Sequence, residues 1–447
     1  AKGAQVLLAP TINLHRSPKC GRNFECYSED PLLSGRLAAA FVRGVQSRGV
    51  ATTPKHFVAN DSEFERNTND SQVDVRTLRE LYLLPFEHAV KDGDAWGIMS
   101  AYNRLNGTFC SEHEWLLTTV LRDEWGFDGF IVTDWFAARS TAAMANAGLS
   151  LEMPGEGRFY GGALKESVQS GTVSEAALDR IVRDVLRTME RTGALDGDGD
   201  FTEGTLDRPE DRAVIRAAAA AGSVLLRNDG ILPLDPATLS KIAVIGPNAL
   251  NAKVMGGGSA KVNAYRATSP LEALTERLPE AEVVWEKGSD IDRTTPALAR
   301  PLVDGRVTTE FFNGHEIAGE PDYTTERAEL DVMAFGAPAP GISPDAFAVR
   351  ATCAVVPSVT GTHDFRLIQG GRARVLVDGE VVLDATEGEY ERGSAFFGMG
   401  SVEIPAVVEL EAGRPVEVVV EFTNRDAVLL AGFKLGLLSL VEEDLLG

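Results

Sequence analysis

Basic residues are in short supply. The 447 residues carry 43 Lys and Arg against 66 Asp and Glu, a formal charge of −23, so a phosphate backbone or an anionic membrane surface would repel the chain on approach. Cysteine is scarce as well. Cys20, Cys26, Cys110 and Cys353 are too few for a disulfide scaffold; a Cys20–Cys26 bridge is compatible with the spacing, but reduced thiols are the expected state. Apolar runs of about 18 residues, the length of a membrane span, do not occur. The Ala-rich stretch from Ala213 to Leu226 is too short and contains Arg216. The chain is therefore expected to be soluble, with neither nucleic acid nor membrane as a partner.

Cofactor signatures are missing too. The six histidines are scattered without metal-ligand spacing, and no HExxH or G-x-S-x-G pattern occurs. Asp196, Asp198 and Asp200 fit the first ligands of a calcium loop. Phe201 then stands where that loop needs Gly, and Asp207 where it needs Glu, so a solvated linker is expected instead. Gly256-Gly257-Gly258-Ser259 is neither GxGxxG nor a Walker loop. No cofactor and no metal are expected. Asn60, Asn69 and Asn106 begin glycosylation sequons, two of them beside the site described below, where a glycan would not fit.

What is present is α/β alternation. Apolar runs at 5–10, 50–54, 97–102, 129–135 and 149–154 read as strands. Helix-period stretches lie between them at Leu32–Gln46, Val73–Lys91, Ser111–Glu124 and Thr141–Ala147, and helices at Gly162–Ser170 and Ser174–Arg191 close the region. Ser111 and Glu114 have the spacing of a capping box. Polar groups follow each strand in turn: Arg22 and Glu25, Lys55 and His56, Tyr102, Asp134, and Glu152. A (β/α)8 barrel assembles its active site from strand C-terminal ends in this way. Five strands make a partial barrel, and the opening at Ala1 in mid-pattern leads us to expect a chain cut from a longer one, with any signal peptide lost. The compartment, secreted or cytoplasmic, is therefore not legible.

A second α/β segment has a helix at Glu210–Leu225 and strands at 241–246 and 283–285. From about Ala297 short alternating strands take over, and residues 365–385 read as a hairpin turning on Asp378-Gly379.

Asp134 ends IVTDW. As a residue type at that place, a helix cap and a rigidly held nucleophile are about equally good readings. Lys55-His56 is harder to explain as structure, because a Lys and a His suit a strand end only if the mouth is polar and occupied. Lys55 could form a Schiff base, as in a lyase. Alternatively Lys55 and His56, with Arg22 and Arg66, donate hydrogen bonds to a polyol.

GRNFECYSEDP (21–31), PKHFVAND with Glu63 and Arg66, MSAYNRLNG (99–107) and IVTDW (131–135) resemble glycoside hydrolase family 3, the β-glucosidase group, across residues 4–288. The segment from 246 to 260 resembles the start of that family's α/β-sandwich domain. The all-β segment from 297 to 440 resembles a PA14 domain, which some members carry as an insertion.

The resemblance implies a retaining, exo-acting β-glycosidase, most of all a β-glucosidase, that acts on a small glycoside or oligosaccharide through a covalent glycosyl-enzyme. Asp134 matches the family's nucleophile. Arg22, Lys55, His56, Arg66 and Tyr102 match residues binding the sugar, and Met99 and Trp135 match positions lining that subsite. Lys55, His56 and Arg66 would then depress the Asp134 pKa. Glu152 falls beside the mouth without a matched role.

The aspartate that follows the family's first strand has no counterpart, and the acid/base glutamate is expected beyond residue 447. The His-Asp acid/base pair of the family's N-acetylglucosaminidase branch is absent. The inserted domain overhangs the mouth in the family, which makes Phe396 and Phe397 candidates for a loop limiting the leaving group; core packing explains them equally well.

The expected organisation is multidomain α/β plus all-β: a partial (β/α)8 barrel at 1–195, a linker at 196–212, the first part of an α/β sandwich at 213–296 and a PA14-like β-sandwich at 297–440. A homo-oligomer is compatible with it. A Schiff-base lyase and a non-catalytic carbohydrate-binding protein are the alternatives.

Overall fold

The structure, a computed structural model, describes residues 3–155, 157–196, 204, 206–250, 252–260, 264, 266–289 and 291–440. The calcium-like stretch beyond Asp196 lies outside them. The chain forms two compact units, Ala1–Leu225 with Met255–Lys261, and Leu226–Val254 with Val262–Gly447.

In the first unit five parallel segments pair in chain order. β1 (Val6–Leu7) pairs with β2 (Ala51–Thr52), and Thr11 bridges Lys55 further along the same two segments. Phe57 bridges Ser100 at the end of β3 (Gly97–Ser100), β3 pairs with β4 (Phe130–Thr133), and Val132 bridges Leu151. A doubly wound sheet reverses its strand order at a switch point; this arc does not. β3 and β4 are buried at every position, as expected of parallel strands covered on both faces. Ile98 and Ile131 pack with Phe86, Leu117 and Val120 from the helices. The alternate residues Met99, Phe130 and Val132 pack on the other side with Ala51. Asp134 continues the Phe130–Val132 face beyond the end of β4.

Helix ends follow local chemistry. Pro31–Gln46 opens on Asp30, whose carboxylate accepts the Leu32 and Leu33 N–H groups, with Pro31 in the first turn. The predicted 73–91 helix is interrupted. Pro85 has no N–H to offer, and the ladder before it widens so that Leu83 N–H reaches Leu78 O at 2.8 Å, five residues back. The predicted capping box at Ser111 is corrected by the structure. Ser111 is buried and donates to Ala137 O at 3.1 Å, and the helix runs Trp115–Glu124. A capping box does form at Ser269 with Glu272, ahead of Pro270–Arg277.

The second unit holds a parallel pair, β5 (Lys241–Ile245) and β6 (Glu282–Glu286), and a two-sheet antiparallel sandwich. Its strands are β7 (Val303–Asn313), β8 (Tyr323–Arg327), β9 (Asp331–Ala334), β10 (Phe347–Val355), β11 (Gly361–Gly370), β12 (Arg372–Val377), β13 (Glu380–Ala385), β14 (Ile404–Leu410), β15 (Val416–Thr423) and β16 (Ala431–Ser439). One sheet runs β8-β7-β10-β15-β12-β13 and the other β9-β16-β11-β14. Phe311, Phe347, Phe365, Phe422 and Phe433 fill the space between.

Asp378 (φ 47°) and Gly379 (φ 82°) form the expected turn between β12 and β13. The 365–370 portion belongs to the other sheet. The chain crosses at Gly371, where φ is 143° and a Cβ would lie 2.6 Å from the Phe422 ring. Phe396 and Phe397 both have positive φ in the turn Ala395–Gly398. A Cβ on Gly400 would lie 2.7 Å from the Phe396 ring, whereas Phe397 is exposed and its ring stands 5.7 Å from Phe335.

Candidate active site

Asp134 stands at the C-terminal end of β4, 8% exposed. Its Oδ1 accepts the Trp135 N–H at 2.7 Å. Its Oδ2 is buried and completes no hydrogen bond, although His56 Nε2 approaches to 3.3 Å and the Tyr102 hydroxyl faces the carboxylate. Burial pushes the Asp134 pKa up, and the Trp135 N–H, Arg22, Lys55 and Tyr102 oppose it. The expected net depression is corrected: loss of hydration outweighs the cations, and two of the three groups expected to supply the charge are not among those that chiefly oppose it.

One of those two is His56. Its Nδ1 lies 3.1 Å from Asn13 Oδ1, which also accepts the His56 N–H at 2.8 Å, while Asn13 Nδ2 donates to His56 O at 3.0 Å. An amide oxygen only accepts, so this network assigns the ring proton to Nδ1 and leaves Nε2 bare. Burial, with Arg22, Lys55 and Arg66, drives the His56 pKa well below its ordinary value. His56 therefore offers Nε2 as an acceptor, whereas a donor was expected.

The other is Arg66. It donates to Glu63 Oε2 at 2.6 Å and lies over the Tyr102 ring at 4.5 Å. Arg22 gives Nε and Nη2 to Glu25 at 2.6 and 2.9 Å. Lys55 Nζ lies 3.9 Å from Glu25 Oε2; burial lowers its pKa, and Glu25 and Asp134 work against that. Met99 is buried beside Phe130 and Val132, with Trp135 half-buried against the same cluster.

Arg22, Lys55, His56, Tyr102 and Trp135 thus come together at Asp134, and Arg66 joins through Tyr102. Glu152 does not share that role. Its two oxygens accept the N–H groups of Arg158, Phe159 and Tyr160, so it closes a loop. Gly256 is also structural: a Cβ there would lie 2.2 Å from the Phe24 ring. Asn13 was not singled out from the sequence, and the carboxylates Glu25 and Glu63 were named there without a role. The opposite charges three apart in Arg22–Glu25 and Glu63–Arg66 were the available signal; Asn13 had none.

Residues 1–188 match the glycosyl hydrolase family 3 N terminal domain and residues 223–435 its C-terminal domain. A β-glucosidase of Rhizobium radiobacter is 47% identical over 430 residues, 96% of this chain and 52% of the relative. A probable β-glucosidase I of Aspergillus clavatus is 39% identical over 94% of this chain and 51% of its own length. The crystal structure of a Kluyveromyces marxianus β-glucosidase in complex with glucose superposes with a TM-score of 0.85 at 34% identity, covering 99% of this chain and 55% of that one. The chain spans about half the length of the relatives it matches. Two models of one family cover most of its residues between them, and the chain belongs to glycosyl hydrolase family 3.

Proposed function

We propose that this chain carries the nucleophile half of a retaining β-glucosidase, acting on the non-reducing end of small glucosides or oligosaccharides. The observation that carries the reading is Asp134: a buried strand-end carboxylate with one oxygen fixed and the other unpartnered, ringed by groups that suit sugar hydroxyls. In the first step Oδ2 attacks the anomeric carbon as the bond to the aglycone oxygen breaks. The leaving oxygen takes its proton from a second carboxylic acid. Water activated by the same group then releases the sugar with retention, a scheme that needs the two carboxyl groups about 5–5.5 Å apart. Arg22 and Lys55 donate to hydroxyls, and His56 Nε2 accepts from one. Such contacts accelerate the step where they tighten as the ring flattens toward the oxocarbenium-like state.

The domain reading belongs to the same proposal. Five parallel strands in chain order support part of a (β/α)8 barrel. The segment at 213–296 would begin the C-terminal α/β domain, and 297–440 would be a PA14-type insertion in it, supported by its two-sheet antiparallel form.

The test is covalent trapping in the full-length protein. A 2-deoxy-2-fluoro β-glucoside with a good leaving group should glycosylate Asp134, and peptide mapping should find the sugar on the IVTDW peptide. Asp134→Asn should lose roughly 10⁴- to 10⁶-fold in kcat. A label on another carboxylate, or an active Asp134→Asn, overturns the assignment. Borohydride with a carbonyl substrate should leave Lys55 unmodified; reduction onto Lys55 would favour the lyase.

A further inference from the structure

Arg22 and Lys55 are the cations whose charge bears most on Asp134. Opposite charges in a buried site attract strongly, yet Asp134 Oδ2 takes no hydrogen bond from either cation. Among the described residues, Glu25 is the acidic side chain in contact with both cations. It takes Arg22 Nε and Nη2 at 2.6 and 2.9 Å, and its Oε2 lies 3.9 Å from Lys55 Nζ. The Thr11 hydroxyl fixes that same oxygen at 2.8 Å. Glu25 is itself held ionised by these partners, its pKa lowered despite burial. Glu63 bonds Arg66 and Asn60, and its charge also faces Arg22 without a hydrogen bond to it.

We propose that Glu25 is a positioning residue of this site, holding the Arg22 guanidinium and the Lys55 ammonium to one side of Asp134 so that both face the sugar and Oδ2 stays open for attack. The proposal rests on Asp134 being the nucleophile. Around Asp134 stand Arg22, Lys55, His56 and Tyr102, with Arg66 stacked on Tyr102 and Glu63 paired to Arg66. Cys26 also faces Lys55 and Glu25. Of these groups, Arg22 and Lys55 can close on Oδ2 once they are released.

In the full-length protein, Glu25→Gln keeps the size of the side chain and one acceptor oxygen but removes the restraining charge. The cations then move onto Asp134 and favour its ionised form. The acid limb of kcat/KM, which reports the free enzyme, moves to lower pH. The rate of inactivation by the 2-deoxy-2-fluoro glucoside, which reads the first chemical step alone, falls about 100-fold. Glu25→Asp, which keeps the charge, leaves the limb near its wild-type position.

A slower Glu25→Gln enzyme with an unmoved acid limb would overturn the proposal, because that is the behaviour of a side chain that only supports its loop; wild-type rates would overturn it too. Should Glu25→Gln not fold, Glu25→Ala with and without formate carries the test. The limb moves to lower pH without formate and returns with it, and a limb that formate leaves in place counts against the proposal. If Asp134 is not the nucleophile, the wild-type enzyme labels on a different peptide, so the two failures are distinct.

Discussion

Asn13 and His56 are locked together by three contacts, 43 residues apart in sequence: backbone N–H to Oδ1, ring Nδ1 to Oδ1, and Nδ2 to the His56 carbonyl. The lock decides what His56 presents to Asp134. A ring protonated on Nδ1 turns a bare nitrogen toward Asp134; the other tautomer would turn an N–H toward Oδ2, 3.3 Å away.

Asn13→Leu removes the acceptor at Oδ1 while keeping the volume. His56 is then expected to shift toward the Nε2–H tautomer and donate to Asp134. The loss of a buried hydrogen-bonded partner is worth about 1–3 kcal/mol; if all of it falls on the transition state, kcat/KM drops about 5- to 160-fold. The ¹⁵N chemical shifts of the His56 ring show the tautomer directly, and shifts unchanged from wild type would refute the assignment.

Asp61 supplies a pH dependence of stability. Its carboxylate accepts the Leu14 N–H at 2.8 Å, but burial raises its pKa to about 6, with Arg16 opposing. A carboxyl that binds its proton more tightly when folded makes the folded state lose ground as pH rises from about 4 to about 6, and the loss is complete above that range. The size is at most about 3 kcal/mol. Asp61→Asn keeps an acceptor for Leu14 and cannot ionise. Urea midpoints of the variant should therefore be flat across this window relative to wild type; a parallel decline in both proteins would assign the effect elsewhere.

Glu152→Gln replaces a carboxylate wrapped by the N–H groups of Arg158, Phe159 and Tyr160 with an amide whose NH₂ opposes them. The expected cost is about 1–3 kcal/mol, the usual penalty for a buried donor left without its acceptor. Hydrogen exchange should speed up in residues 157–160, and the 2-deoxy-2-fluoro label should still land on Asp134.

Gly371→Ala places a methyl group 2.6 Å from the Phe422 ring at a φ of 143°. Overpacking of this kind costs about 1–3 kcal/mol, and the unfavourable backbone conformation adds to it. Calorimetry should show the sandwich unfolding at a lower temperature, with the melting of the first unit unmoved.

The sequence by itself determined the strand-and-helix alternation, the Asp378-Gly379 turn, the helix ending at Gln46, and the set Asp134, Arg22, Lys55, His56, Tyr102 and Trp135 that the structure brings together. Each of these is encoded within a few neighbouring residues, as period, turn chemistry or an unbroken motif. It misled at Ser111, where the spacing of a cap is right but burial against Ala137 takes the hydroxyl away. It misled also at residues 365–385, where one alternating run spans two sheets because Gly371 leaves room for the Phe422 ring.

Tertiary structure alone decided the state of the site. The bare nitrogen of His56 depends on Asn13, the restraint on Lys55 depends on Glu25, and the raised pKa of Asp134 depends on how much water the surrounding chain removes. Those contacts join residues tens of positions apart. A hydrogen bond or a desolvation cost exists only once folding has brought the groups together, so no local pattern records it.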